Sequence, residues 1–278
     1  MPSPFGELCF LCREPRNQSL FPDVNAVKET VVTKLHKSIL VFLSISFIVV
    51  LVYLGPPGRS LAEAPGVSRH ASTHHPVVLE LFQSQGCSSC PPALAVLNQV
   101  ADQPNVLALN FAVTYWDQLG WKDNFAQEAF TARQWEYARA GGRGNVQTPQ
   151  LIVDGHAAIL GSRKNEVEAA IAKHRTADGS PDIASGGDLV TIGQGIASTS
   201  AKVWLVDYDP RSVAVAIRAG ENGGRTLNHR NIVRRITVLG AWQGKSTQYS
   251  LPRKLPGTAR AILVQSGIGG PITAGSKI

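Results

Sequence analysis

Residues 77–100 read VVLELFQSQGCSSCPPALAVLNQV, and the change of texture within them decides the fold. Val77 to Phe82 is a short, nearly all-apolar run, the pattern of a strand buried on both faces. Beyond the cysteines, Leu94, Leu97, Val100 and Ala101 recur at helical spacing. A Cys-x-x-Cys pair, Cys87 and Cys90, therefore stands where a strand hands over to a helix. Such a pair can exchange disulfides, bind a metal or serve as a staple.

Working outward, Asn105 opens a second strand pattern, VLALNFAV, followed by the aromatic stretch YWDQLGWKDNF. Ala126, Phe130, Tyr137 and Ala140 share a helical face that ends at Gly141-Gly142. Gln150 to Asp154 reads as a strand, Gly155 as a turn and Ala157 to Leu160 as the hairpin partner. Ser162 can cap a last helix carrying Val167, Ala170, Ile171 and His174. This order resembles thioredoxin over Val77 to Arg175, and Thr148-Pro149 stands where thioredoxin-like proteins place a cis-proline beside the active site. The phrases SQGCSSCPP, YWDQLGWKD, FTARQ, TPQLIVDG and GENGGRTL are similar to a family of secreted bacterial proteins with a thioredoxin-like core, the domain of unknown function DUF1223. The resemblance implies a fold and no reaction.

From Thr176 to Gly187 the chain is polar and contains glycine, the texture of a domain boundary. Short strand patterns follow: VWLV, Val213 to Ile217, NIVRRITVLGAW and AILVQ. About seven strands in about ninety residues suggest a small β-sandwich. GENGGRTL reads as a turn, with Asn222-Gly223 supplying positive φ, in preference to the alternative of a ligand-binding loop. The expected architecture is thus α/β: a thioredoxin-like domain over 77–175, then an all-β sandwich over 188–278.

The cysteine chemistry follows from position. Thiolate is the reactive form, and a helix N-terminus stabilises it, which marks Cys87 as nucleophile and Cys90 as the resolving thiol. Thr148 and Pro149 would turn backbone toward the cysteines to receive an extended substrate. Glu80, a carboxylate in an apolar strand, is a candidate for moving the resolving cysteine's proton, as a buried acid does in thioredoxins; its register is one residue off the familiar one. A further departure is the Ser88-Ser89 spacer with Pro91-Pro92 after it, which moves the helix start toward Pro91 and weakens the dipole argument. A three-residue loop gives a staple little entropic value. Copper(I) on Cys87 and Cys90, helped by His74 or His75, is the metal alternative, because soft thiolates suit it; zinc would need two more ligands. The stretch Tyr115, Trp116, Asp117, Trp121, Lys122 and Asp123 either lines a substrate groove or, through its aromatic residues, forms a small core of its own.

The N-terminus bears on location. Ile39 to Leu54 is an uncharged apolar run preceded by Lys28, Lys34 and Lys37, an export signal that keeps the N-terminus cytoplasmic and delivers the remainder outside. It serves as a signal-peptide core or as a membrane anchor, and Ser60-Leu61-Ala62 favours cleavage. Residues 1–38, with Cys9 and Cys12, form an extension that points to a misplaced start or a short cytoplasmic tail; residues 61–76 read as a linker. The net charge of +7 is scattered, and the Arg225–Arg235 cluster has no aromatic ladder, so nucleic-acid binding is not expected. The sequence therefore points to an exported thiol-disulfide oxidoreductase acting on protein thiols or disulfides with a redox partner protein. It would hold no cofactor or resident metal and meet the membrane only through residues 39–54. A copper(I)-binding or delivery protein and an interaction module with a structural disulfide stand as alternatives.

Overall fold

The computed structural model describes residues 75–278. The extension 1–38, the apolar run 39–54, residues 61–74 of the linker and His74 lie outside the described residues. Among the described residues no helix is long and apolar enough to cross a membrane.

Strands β1 (Val77–Gln83) and β2 (Val106–Ala112) pair in parallel, in register from Val77–Val106 to Gln83–Ala112. Every position of both is buried, which is why their sequences run apolar instead of alternating. Helix α1 (Pro91–Val100) connects them, and α2 (Glu128–Ala140) follows β2. β3 (Gln150–Val153) lies antiparallel on the other side of β1 and forms a hairpin with β4 (Ala157–Ile159). Its turn uses Asp154 and Gly155 at φ 47° and 73°. In α3 (Lys164–Lys173) the N-cap is Arg163, without a capping side chain, so the expected role of Ser162 does not materialise.

The second half overturns the expected fold class. Its strands are β5 (Ile183–Gly186), β6 (Leu189–Ile192), β7 (Ala201–Asp209), β8 (Val213–Ala216), β9 (Thr226–His229), β10 (Ile232–Trp242), β11 (Thr247–Ser250), β12 (Ala259–Ser266) and β13 (Ile272–Lys277). They do not form a separate β-sandwich behind a thioredoxin-like α/β domain. One mixed sheet of eight strands, in the order β13-β12-β7-β10-β2-β1-β3-β4, draws four strands from each side of residues 176–187. β11, β6 and β5 make a second, three-stranded sheet, and β8 with β9 a hairpin of their own.

The two halves meet where β10 runs parallel to β2, Ile232 opposite Asn110. Asn231 secures this short junction: its amide donates to Ala108 O at 2.8 Å and its carbonyl accepts from Asn110 N at 2.9 Å. Strand twist accumulates across so wide a sheet, and its far edge returns to β1. Ile272 N donates to Asp154 O at 2.9 Å, and His75 Nδ1 lies 3.0 Å from Gly275 O. A Cβ on Gly275 would come within 2.9 Å of Val78. One core is therefore shared by α2 and both halves, through Phe82, Phe111, Phe130 and Tyr137 on one side and Trp204, Val206 and Leu263 on the other. α1 and α3 cover the opposite face of β1, and the small sheet covers the opposite face of β7 and β12. Two halves of one coiled sheet packed on each other leave the same inward alternation in the sequence as a sandwich does.

Candidate functional site

β1 ends at Gln83, and the chain turns through Ser84–Cys90 into α1. Gly86 N donates to Ser84 Oγ at 3.1 Å, Cys87 N to Ser84 O at 3.2 Å and Cys90 N to Cys87 O at 3.1 Å. Cys90 is the N-cap, and its carbonyl accepts from Ala93 N and Leu94 N. Pro91 and Pro92 occupy the first helical turn, where a missing N–H costs nothing. Cys87 and Cys90 are joined as a disulfide. Both are 0% exposed, while Ser88 and Ser89 between them face solvent. Cys87, marked as the nucleophile, is thus no more open than Cys90.

Two of the other predicted positions, Thr148 and Pro149, are placed beside this disulfide. The Thr148–Pro149 peptide is cis, and Thr148 faces the motif. Ser89 Oγ lies 3.3 Å from Cys87 Sγ and donates to Thr148 O at 3.4 Å. Trp116 fixes the other side of Thr148, donating from Nε1 to its Oγ1 at 2.8 Å, and packs beside Gly86. The aromatic stretch is thus a brace. Tyr115 donates to Gln134 Oε1 at 3.2 Å, and burial pushes its hydroxyl up to about 12. Trp121 Nε1 donates to Gln85 Oε1 at 2.9 Å.

Glu80 is not brought to the cysteines. Side chains alternate along a strand, so Glu80 shares a face with Val78 and Phe82, whereas Leu79 and Leu81 face α1. Its carboxylate is held by Arg133 from α2, with Nε at 2.7 Å and Nη2 at 3.1 Å, and by the Tyr137 hydroxyl. Arg133 also donates to Gln265 Oε1 at 3.2 Å and lies over the Trp204 ring. Desolvation opposes the charge on Arg133, but the Glu80 carboxylate overrides it and raises the guanidinium above its ordinary value. Burial pushes the Tyr137 hydroxyl well up.

His75, the described member of the copper alternative, bonds Gly275 at the opposite end of β1. A seven-residue strand spans roughly 20 Å, which separates it from the motif. Among the described residues no group of three or more His, Cys, Asp or Glu side chains could hold a metal ion.

The structure gives partners and surroundings to residues that the sequence marked only as members of a stretch, a turn or a cluster. Asp123 is buried, accepting from Gln85 N at 2.8 Å and Phe125 N at 2.8 Å. Burial raises its carboxyl to about 6. His229 is enclosed against the Phe125 ring, neither ring nitrogen finds a partner among the described residues, and burial lowers it to about 4. The tip between β8 and β9 is seated on the motif itself. Asn222, 0% exposed, donates from Nδ2 to Gln85 O and Cys87 O, each at 2.9 Å. Glu221 accepts from Ser88 N at 3.0 Å, and the hydrogen bonds from Ser88 hold its carboxyl below the ordinary range. Gly220 lets the tip approach Gly120 of the aromatic stretch, where a Cβ on Gly120 would lie 3.5 Å from Gly220 Cα. The glycines of GENGGRT signalled a turn, but nothing local signals what it covers.

Fold and site together define a mixed-sheet protein with an enclosed Cys-x-x-Cys disulfide at the mouth of a helix. The chain belongs to the family described as protein of unknown function (DUF1223), whose model matches residues 78–265. It is similar to the crystal structure of protein AGR_C_4864 from Agrobacterium tumefaciens, with 30% identity and a TM-score of 0.62, covering 73% of this chain and 93% of that one. A second solved structure, HBP35 of Porphyromonas gingivalis, matches at 14% identity and a TM-score of 0.49, covering 74% of this chain and 76% of that one. No curated protein matches the chain.

Proposed function

We propose that this is an exported thiol-disulfide oxidoreductase whose Cys87–Cys90 disulfide exchanges with thiols or disulfides of other exported proteins. The observation that carries the reading is the surroundings of the pair. A disulfide closing so short a loop contributes little to chain entropy, yet Thr148, Trp116 and Asn222 all converge on its loop. In the oxidising direction a partner thiolate attacks Cys87 Sγ, the bond to Cys90 breaks, and Cys90 leaves as thiolate. A second thiolate of the partner then attacks its own mixed-disulfide sulfur and releases Cys87. The Ser89 hydroxyl, 3.3 Å from Cys87 Sγ, is placed to donate to that departing thiolate.

Replacing Cys90 with Ala in cells should trap mixed disulfides through Cys87, and Cys87→Ala should trap few. Capture of no exported protein by either variant overturns the reading. Export is tested separately, by a reporter fused after Ile278 that works only outside the cytoplasm and by the mass of the mature N-terminus, expected near Glu63. The burial of both cysteines favours a second reading, an inert disulfide within an interaction module. Reduction without any effect on partner thiols would support it.

A further inference from the structure

The two readings of the disulfide differ only in whether its cover lifts. We infer that the β8–β9 hairpin is a gate: its tip, residues 219–225, seals Cys87–Cys90 at rest and must swing away before a partner thiol can reach the sulfurs. This regulates the exchange proposed above and rests on that reading for its biological purpose, although the gating itself is measurable without a partner.

The hairpin has the construction of a separate moving part. Among the described residues β8 and β9 pair only with each other, outside both larger sheets. The tip is internally braced, with Gly223 N donating to Gly220 O at 3.0 Å, Gly224 N to Ile217 O at 2.9 Å and Arg225 Nη1 to Asn222 Oδ1 at 2.8 Å. It can therefore move as a unit. Further down, the hairpin is anchored by buried Ile217 and Leu227, by Asn98 donating to Asn228 O at 2.9 Å and by the Arg230–Asp102 ion pair. Asn98 lies on α1 and Asp102 just beyond its end, so these two tie the base of the hairpin to the helix. The tip meets the motif through two hydrogen bonds from Asn222 and one to Glu221, and meets the aromatic stretch through the close approach of Gly220 to Gly120 and Trp121.

The chemistry of those contacts suits a gate. Asn222 takes up the carbonyls of Gln85 and Cys87, and Glu221 takes up the N–H of Ser88, so the tip occupies backbone groups on either side of Cys87. An extended peptide bringing a thiol to Cys87 would use such backbone groups for docking. Displacing the tip uncovers sulfur and docking groups together, so a partner peptide can replace the lost bonds while a small thiol cannot.

The test uses the full chain in its disulfide form and a water-soluble phosphine, with free thiol followed over time. If the tip gates access, wild-type reduction levels off as phosphine rises, because opening becomes rate-limiting. Asn222→Ala removes two bonds and should reduce about tenfold faster at low phosphine. Glu221→Ala, at an exposed position, should give a smaller increase of a few-fold. Thermal melts of the oxidised proteins distinguish gate opening from unfolding: the acceleration must persist at temperatures where both variants remain fully folded. Wild-type reduction strictly proportional to phosphine, with neither folded variant faster, overturns the gate. A functioning gate in a protein that captures no exported partner leaves this inference standing and removes the exchange reading.

Discussion

Glu80 and Arg133 meet at 2.7 Å with side chains 0% and 2% exposed, an ion pair sealed between β1 and α2 in the core shared by the two halves of the sheet. Breaking it from one side leaves a buried charge without compensation. Arg133→Met should cost about 3–5 kcal/mol, whereas the double variant Glu80→Leu/Arg133→Met should recover most of that loss. Urea denaturation of the oxidised proteins reads both. Because Glu80 lies on the face away from α1, a folded Glu80→Gln protein should keep the wild-type rate of disulfide exchange. A rate lowered tenfold or more would restore Glu80 to the reacting groups.

Asn231 should be nearly irreplaceable at the β2–β10 junction. Its φ is 49°, a left-handed conformation that L side chains rarely adopt, and its amide satisfies Ala108 O. Asn231→Ala combines backbone strain with an orphaned carbonyl and should cost about 2–4 kcal/mol. Asn231→Gly relieves the strain alone and should lose about half as much. Equal losses in the two variants would show that φ contributes nothing here.

Asp123 and His229 should make opposite demands on pH. The folded protein raises Asp123 to about 6, so this group favours folding below its ordinary value of 3.8 and loses that contribution as pH rises to 6. His229 is lowered to about 4, so its contribution is complete above its ordinary 6.5 and is lost as pH falls to 4. Each shift of roughly two units corresponds to about 3 kcal/mol, and between pH 4 and 6 the two slopes oppose. Folded His229→Leu should therefore become more stable relative to wild type as pH falls through that window, and Asp123→Asn less stable. Parallel pH profiles for the two variants would contradict both assignments.

The local elements were legible because period and punctuation are local. The apolar run of β1, the helical face of Phe130 and Tyr137, and the hairpin turn at Gly155 all appear where the sequence puts them. Pro91-Pro92 likewise marked the start of α1. What pairs with what was not legible. The run of β10 can pair on either edge, and it takes β2 in parallel and β7 antiparallel at once. Glu80 reads as a partner of the cysteines only if strand parity, which separates it from Leu79 and Leu81, is passed over. Arg133, on the same helical face as Phe130 and Tyr137, was the available clue that a buried carboxylate had a partner. Asn222 offered no comparable clue, since its target lies 135 residues earlier.

That separation also sets a clock. Synthesis proceeds from the N-terminus at about 5–20 residues per second, so roughly 7 to 27 s pass between the appearance of Cys87 and that of Asn222. For that interval the two thiols belong to a nascent chain without its cover. An oxidant that acts within that interval meets the thiols in this uncovered form and needs no opening of the tip.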